Sequence, residues 1–238
     1  MQLIKNFDLS KFNPALPEGT LNQFDISLKG SDIFINNFEY ISNLLTKINL
    51  KGKVKKLDLL NSTFTIQVNS SSSNEIKNIA ENLLSGIAIP DVSFNQFELD
   101  ALIENNNFIV NSLTLEDKET ILETSGSMNL DNSLDRSFNL KLSNFKKSEI
   151  LNFYPQLSET INLIPGNVIN FEGFLAGSDL EITNFIILKE NQPTLIIAGD
   201  IDLQNLNETF LNVKVDNMSS SDVEVLLTNF EQGKYKNY

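Results

Sequence analysis

Carboxylates are the side chains in this sequence with the clearest capacity for chemistry, because the chain contains no His and no Cys. Their absence excludes Ser-His-Asp and Cys-His nucleophiles and zinc sites built from Cys and His. Asp200 and Asp202 suggest calcium ligation, but no EF-hand glycine and terminal glutamate accompany them. A glycosidase pair needs two acids opposed across a cleft, and nothing singles out Glu98, Glu172 or Glu181. We therefore predict no enzyme activity and no metal site.

The charge balance argues against nucleic acid as a partner. The 238 residues include 31 acidic and 18 basic side chains, a formal charge of −13, which repels phosphate backbones. No run approaches 18 apolar residues, and the first residues do not resemble a secretory signal peptide, so we expect no transmembrane helix. The lack of Cys fits either a cytosolic protein or an exported one without disulfides.

Most of the chain alternates apolar and polar residues with period two, which predicts strands with one buried and one wet face, as in antiparallel sheets. Clusters of turn-forming residues separate the strands. Three segments have helical spacing instead, each after a plausible N-cap and each opening with an acid. These predicted helices begin at Glu75, Glu149 and Asp222 and run to Leu84, Phe153 and Phe230.

Landmarks along the chain recur with one offset. Gly52, Gly126 and Gly199, each inside an apolar strand pattern, are spaced by 74 and 73, as are the three helix N-caps. We interpret the chain as three repeats of several strands plus a helix, at 17–88, 90–163 and 165–238. Such repeats bury their apolar faces by stacking on their neighbours. Residues 1–16 look like the tail of a preceding repeat, so we expect this chain to be a fragment of a longer protein.

The apolar face permits two interpretations from the residues alone. It is either the dry core between two packed sheets or the inside of a trough that holds acyl chains. Ile, Leu, Val and Phe serve both, so composition does not separate them. The glycines inside strands fit curvature of the sheet, while Gly173 and Gly177 either leave room for a ligand or permit a kink.

The second and third repeats carry a resemblance to a known family. The second contains GSMNL at 126–130 and FNLKLSNF at 138–145, and the third contains FEGFLAG at 171–177, AGDIDL at 198–203 and SSDVEVLL at 220–227. This pattern resembles the repetitive β-rich region of TamB/AsmA-like proteins, bacterial relatives of bridge-like lipid-transfer proteins, and covers nearly the whole chain. The motif consists of glycines and alternation rather than an invariant signature.

The resemblance implies a mainly β protein whose elongated, twisted antiparallel sheet is curved into a U-shaped trough, built from tandem repeats of about 74 residues, each with a short α-helix. It further implies a periplasmic conduit that carries phospholipids between the inner and outer membranes, with no enzyme activity and no cofactor. Phospholipid acyl chains would be its ligands, and an outer-membrane barrel partner is expected to bind other parts of a longer protein. Neither the family's N-terminal membrane anchor nor its barrel-contacting C-terminal module is recognisable in this sequence.

On this interpretation the groove is lined by apolar residues from every predicted strand. They are Phe24, Ile26, Leu28, Ile33, Ile35, Leu50, Val54, Phe64, Ile66, Val68, Phe97, Leu99, Phe108, Val110, Met128, Leu130, Phe138, Leu140, Leu142, Ile169, Phe171, Leu175, Ile182, Leu195, Ile197, Ile201, Leu203, Leu211, Val213 and Val215. The alternative from another class is a repetitive β-sandwich module for adhesion or for binding protein or glycan. Its core would be sealed, and its outward-facing side chains would bind the partner.

Overall fold

The computed structural model describes residues 16–30, 32–55, 58–83, 94–132, 134–149 and 165–224. These residues are mainly β, as the alternation predicts, and the strand pairs are antiparallel. The strands are β1 (Gly19–Lys29), β2 (Asp32–Ser42), β3 (Lys47–Lys55), β4 (Asp58–Ser70), β5 (Gln96–Glu104), β6 (Asn107–Asp117), β7 (Thr120–Asn129), β8 (Arg136–Lys146), β9 (Val168–Ala176), β10 (Asp179–Lys189), β11 (Gln192–Asp202) and β12 (Phe210–Val215). Helix α1 spans Ser73–Leu83, and a 3₁₀ turn spans Leu206–Glu208.

The chain divides into two compact units. The first contains residues 1–118 and 123–136, and in it β1 to β6 pair consecutively, each with the strand next to it in sequence. The second contains residues 119–122 and 137–238, and in it β8 to β12 pair in the same consecutive manner. In both units, strands that are adjacent in sequence are therefore adjacent in the sheet.

Tight turns join several of these strands. Asn105 and Asn106 connect β5 to β6, and Glu190 and Asn191 connect β10 to β11; all four have positive φ angles of 49° to 66°. Two consecutive residues with positive φ are the requirement of a type I′ turn, whose twist matches that of the flanking strands. Asn tolerates this conformation better than most residues, which explains its use at these turns.

A one-residue bulge interrupts each of the strands β2, β6 and β10, which are four strands apart along the chain. Asn36 in β2, Asn111 in β6 and Thr183 in β10 are left without a partner, while the residues before and after them stay paired. Such an extra residue bends the strand and shifts the phase of its alternation. Beyond each bulge, the residues that point to a given face therefore lie one position later in the sequence than strict alternation predicts.

Glycine is required in the strand that follows each bulge. Gly52 in β3 and Gly199 in β11 have φ angles of 147° and 141°. A Cβ at either position would overlap the backbone carbonyl oxygen of the next strand, from Thr63 or Phe210 respectively. Gly126 in β7 has a similar φ of 153°. At Gly52 and Gly199 the neighbouring strand is therefore closer than a side chain allows.

Helical segments follow the strands in the order that the sequence predicts, but each begins two residues earlier than predicted, at residues 73, 147 and 220. Helix α1 begins at Ser73 rather than Glu75, so Ser72 rather than Asn74 caps it; the Ser72 hydroxyl accepts from the Glu75 N–H at 3.4 Å. Residues 147–149 and 220–224 are helical as well. The remainder of those two predicted helices, and most of residues 1–16, lie outside the described residues.

Candidate functional site

An apolar face of the first unit is built by direct cross-strand pairs. Phe24 faces Phe38 across β1 and β2, and Phe38 in turn faces Leu50 of β3. Leu50 faces Ile66 of β4, which faces Ala101 of β5. Because paired residues in an antiparallel sheet point to the same side, these side chains form one row that crosses five strands.

The second unit repeats this arrangement on β8 to β12. Leu142 faces Phe171, which faces Phe185, and this chain of pairs continues through Ile197 to Val213. Parallel rows pass through the residues on either side at intervals of two. Each unit therefore carries an apolar surface made of side chains from every one of its described, paired strands.

The predicted lining residues lie on these two surfaces wherever their pairing is described. In the first unit they are Phe24, Ile26, Leu28, Ile33, Ile35, Leu50, Val54, Phe64, Ile66, Val68, Phe97, Leu99, Phe108 and Val110. In the second unit they are Phe138, Leu140, Leu142, Ile169, Phe171, Leu175, Ile182, Leu195, Ile197, Ile201, Leu211, Val213 and Val215. Met128, Leu130 and Leu203 lie at the ends of β7 and β11, where pairing does not assign their face.

Sequence reasoning missed a second set of residues on the same surfaces. The bulges caused the largest part of this omission, because strict alternation past Ile35, Val110 or Ile182 leads to a polar residue. The residues that share the apolar faces but were not predicted are Leu21, Phe38, Tyr40, Ile48, Ala101, Ile103, Leu113, Leu115, Phe145, Leu180, Phe185 and Ile187. The available signal was a pair of polar residues, such as Asn36-Asn37 or Thr183-Asn184, between two apolar alternations of opposite phase.

Coverage of each apolar surface is uneven. In the second unit Ile169, Ile187 and Leu195 form a buried cluster, with Phe145 and Met218 among the partly buried residues packed against it. In contrast, Val213 on β12 is 59% exposed and Leu28 on β1 of the first unit is 54% exposed. Most other lining residues are half-buried. Exposed apolar side chains in contiguous rows mark a binding surface more often than scattered ones do.

The opposite face of the first unit carries much of the charge, arranged as a ladder of amides and carboxylates. Gln67 of β4 and Asn111 of β6 both donate to Asp100 of β5, at 2.9 and 2.8 Å. These hydrogen bonds lower the pKa of Asp100, with the bond from Asn111 as the larger cause. On β2 the pKa of Glu39 is lowered mainly by a hydrogen bond from Asn22. The described part of this face is therefore largely polar and charged.

A buried polar network closes one end of the apolar face beside helix α1. The Glu75 carboxylate, 6% exposed, accepts from the hydroxyls of Ser42, at 2.6 Å, and Thr46. The Thr46 hydroxyl also lies 2.6 Å from that of Ser70. Burial, with the negative charge of Glu75 as a second cause, raises the pKa of neighbouring Tyr40. The network fixes the helix on the sheet.

The carboxylates considered for chemistry lie on the polar faces of the two units. Glu181 of β10 pairs with Asp200 of β11, and Glu172 pairs with Asn184, all on the polar face. Glu98 belongs to the first unit, where Asn69 donates to it at 3.1 Å. Within the described ranges no group of three or more acidic residues is placed to hold a metal ion.

Comparisons with protein-family models, curated proteins and solved structures give no significant match. The resemblance to TamB/AsmA-like proteins therefore remains a prediction from the sequence. Across the part of the chain that the structure describes, no helix has both the length and the apolar character needed to cross a bilayer. The site that remains is the pair of apolar sheet faces.

Proposed function

We propose that this chain is a segment of a periplasmic conduit for phospholipids, in which acyl chains lie along the apolar sheet faces. In this proposal the repeats continue one sheet, which curves into a trough. The headgroups stay at the open rim, and the chain acts without an enzyme activity or a cofactor. The TamB/AsmA resemblance supplies the envelope context: movement between inner and outer membranes, together with an outer-membrane barrel partner that other parts of a longer protein would contact.

The observation that carries the proposal is the continuity of the apolar rows. In each unit every described, paired strand contributes large apolar side chains to one face, and amides and charges occupy much of the other. A surface protein that binds through outward-facing side chains gains nothing from apolar residues left half-exposed along a whole face. A carrier of acyl chains needs them.

The energetics favour retention together with movement. Burial of each methylene contributes about 0.8 kcal/mol, so two acyl chains on such a surface are held strongly. Displacement along a row exchanges one set of Leu, Ile, Val and Phe contacts for another, so the buried area changes little. A carboxylate placed in the row would lose its hydration as a lipid passed, which costs several kcal/mol unless the group is paired.

The test is lipid binding by the purified chain. Native mass spectrometry and organic extraction should detect phospholipid bound to the wild type. Phe138→Asp places a charge in an apolar row of the second unit and should reduce the bound lipid severalfold. Asn139→Asp, the matched control, adds the same charge at the exposed neighbouring residue on the polar face and should leave binding unchanged.

Two outcomes would count against the proposal. Wild-type protein that emerges lipid-free and takes up no phospholipid from vesicles would favour the sealed β-sandwich module. Equal loss of lipid in Phe138→Asp and Asn139→Asp would mean that net charge, rather than the apolar face, controls binding. Circular dichroism of both variants checks that they retain the strand content of the wild type.

A further inference from the structure

In each unit the two ends of the strands border the apolar face differently. One end carries the β2–β3 or β10–β11 turn and the long connections that follow β4, β8 and β12, and we call it the covered end. The other carries the β1–β2, β5–β6 or β9–β10 turn and the loops that follow β7 and β11, and we call it the open end. Because sequential strands are antiparallel, the helical segments after β4, β8 and β12 all leave from covered ends.

In the first unit the connection between β4 and β5 contacts the covered end at both of its described parts. Phe94, near the end of this connection, packs against Phe97 with 5.8 Å between the ring centroids. At the start of the connection, the Glu75 carboxylate of α1 accepts hydrogen bonds from Ser42 and Thr46. The connection therefore shields this end of the apolar face from water.

In the second unit the connections after β8 and β12 contact the covered end. The carbonyl oxygen of Pro165 accepts a hydrogen bond from the buried Thr194 hydroxyl at 2.7 Å. Gly166 lies so near Ile187 that a Cβ would overlap that side chain. Beyond β12, Met218 packs against the buried cluster that contains Ile187. The same end of the sheet is thus shielded in both units, by equivalent segments.

The burial of the apolar side chains follows this difference between the ends. The buried residues at the covered ends are Tyr40, Ile48 and Phe97 in the first unit and Ile169, Ile187 and Leu195 in the second. The residues of the same strands at the open ends are only half-buried, and they are Ile33, Val54, Ile103, Leu175, Leu180 and Ile201. Because six strands show the same trend, it is a property of the two ends rather than of single residues.

Exposed leucines border the open ends. Leu130 follows β7 and Leu203 follows β11, and both side chains are exposed. Their N–H groups donate to the carbonyl oxygens of Asn106 and Ser178, at 2.8 and 2.9 Å. The same backbone contact therefore holds a leucine beside the β5–β6 turn in the first unit and beside the β9–β10 turn in the second. Exposed apolar side chains that continue an apolar surface extend the area available to a ligand.

We propose that the apolar faces bind lipids with a single polar headgroup, with the acyl chains along the strands, the chain termini at the covered end and the headgroup at the open end. The inference rests on the proposed function, because it orients the lipid of that proposal and assigns the headgroups to one of the two strand ends. At the covered end a polar group would be cut off from water by the connections, which is costly without a hydrogen-bonding partner. At the open end the headgroup keeps its water.

The length of the apolar face along the strands fits an acyl chain. Phe138 and Phe145 lie at the open and covered ends of β8, and their spacing corresponds to about 23 Å at about 3.3 Å per residue. The acyl chains of one leaflet occupy about 15 Å, half of the hydrocarbon core of a bilayer. A membrane acyl chain therefore fits between the two ends, whereas a chain with a polar group at each end would place one of them beneath the connections.

Tryptophan fluorescence tests the orientation, because the natural chain has no Trp. Phe138→Trp and Phe145→Trp each place a single indole on β8, one at the open end and one at the covered end. Each variant is loaded with phosphatidylcholine that carries a nitroxide quencher either near the headgroup or near the chain terminus. The terminal nitroxide should quench Phe145→Trp more strongly than Phe138→Trp, and the nitroxide near the headgroup should give the reverse order.

The class of ligand is tested on the wild type, so this measurement does not depend on the folding of a variant. Hexadecanoate and hexadecanedioate have the same chain length, but the second carries a carboxylate at both ends. Hexadecanedioate should displace the bound lipid about tenfold or more less effectively, because its second carboxylate would lose its water at the covered end. In the first unit that carboxylate would also lie near the buried Glu75.

Native mass spectrometry of each sample measures the bound lipid and separates the possible failures. If lipid is bound but both nitroxides quench the two indoles equally, or in the opposite order, the orientation is overturned while the proposed function stands. If hexadecanedioate competes as well as hexadecanoate, the restriction to a single headgroup is overturned. A protein that binds neither phospholipid nor fatty acid would overturn this inference and the proposed function together.

Discussion

Truncation of Ile187 should destabilise the second unit far more than truncation of Val213, although both side chains lie on the same apolar face. Ile187 is 2% exposed and belongs to the cluster with Ile169 and Leu195. Ile187→Ala removes three carbons, worth about 2.4 kcal/mol in transfer free energy, and the cavity left behind raises the cost to roughly 3–4 kcal/mol. Val213→Ala removes two carbons from a side chain that is 59% exposed, which amounts to about 0.6 kcal/mol.

Urea unfolding followed by circular dichroism measures both changes. Ile187→Val, which deletes one methylene, should fall between them at about 1 kcal/mol. Hydrogen exchange of the β10 and β11 amides assigns the loss to the second unit. If Ile187→Ala costs no more than Val213→Ala, the buried cluster does not stabilise the sheet and the reasoning from burial fails.

Two further predictions concern the polar groups. Glu75→Ala should lower the free energy of unfolding by about 1–3 kcal/mol, because the buried hydroxyls lose their acceptor. Glu75→Gln retains one acceptor oxygen and should cost less. An equal loss of stability in the two variants would contradict this explanation. Asn111→Ala should raise the pKa of Asp100 in an NMR titration of the side-chain carboxyl. The folded pKa of Asp100 lies below its ordinary value, so its contribution to stability is present above the unfolded pKa and is lost as pH falls through the folded pKa. Asn111→Ala should weaken that acid dependence, and an unchanged pKa would refute the assigned cause.

The sequence predicts the strands well because their alternation reports a physical difference between two faces. Residues such as Phe64, Ile66 and Val68 are apolar because they lie on one side of β4, and their neighbours are polar because they lie on the other. Asn-rich turns such as Asn105–Asn106 are equally predictable from the sequence, since few other residues tolerate positive φ.

The bulges and the buried network cannot be predicted from the sequence in the same way. Asn36 and Asn111 look like ordinary polar positions until the pairing shows that each is skipped. Glu75 lies in the first turn of helix α1, and its spacing from Ser72 suggests a capping box. Its carboxylate instead binds hydroxyls more than 25 residues away in sequence. Such contacts depend on which strands meet, and that information is not local.

The pairing of sequential neighbours has a consequence for how the protein forms. In each unit a strand finds its partner in the segment synthesised just before it, often across a loop of two residues. Short loops close quickly and at small entropic cost, so contact order within a unit is low for a β protein. Each unit can therefore assemble hairpin by hairpin from its N-terminal side, and every new strand covers the edge left open by the previous one.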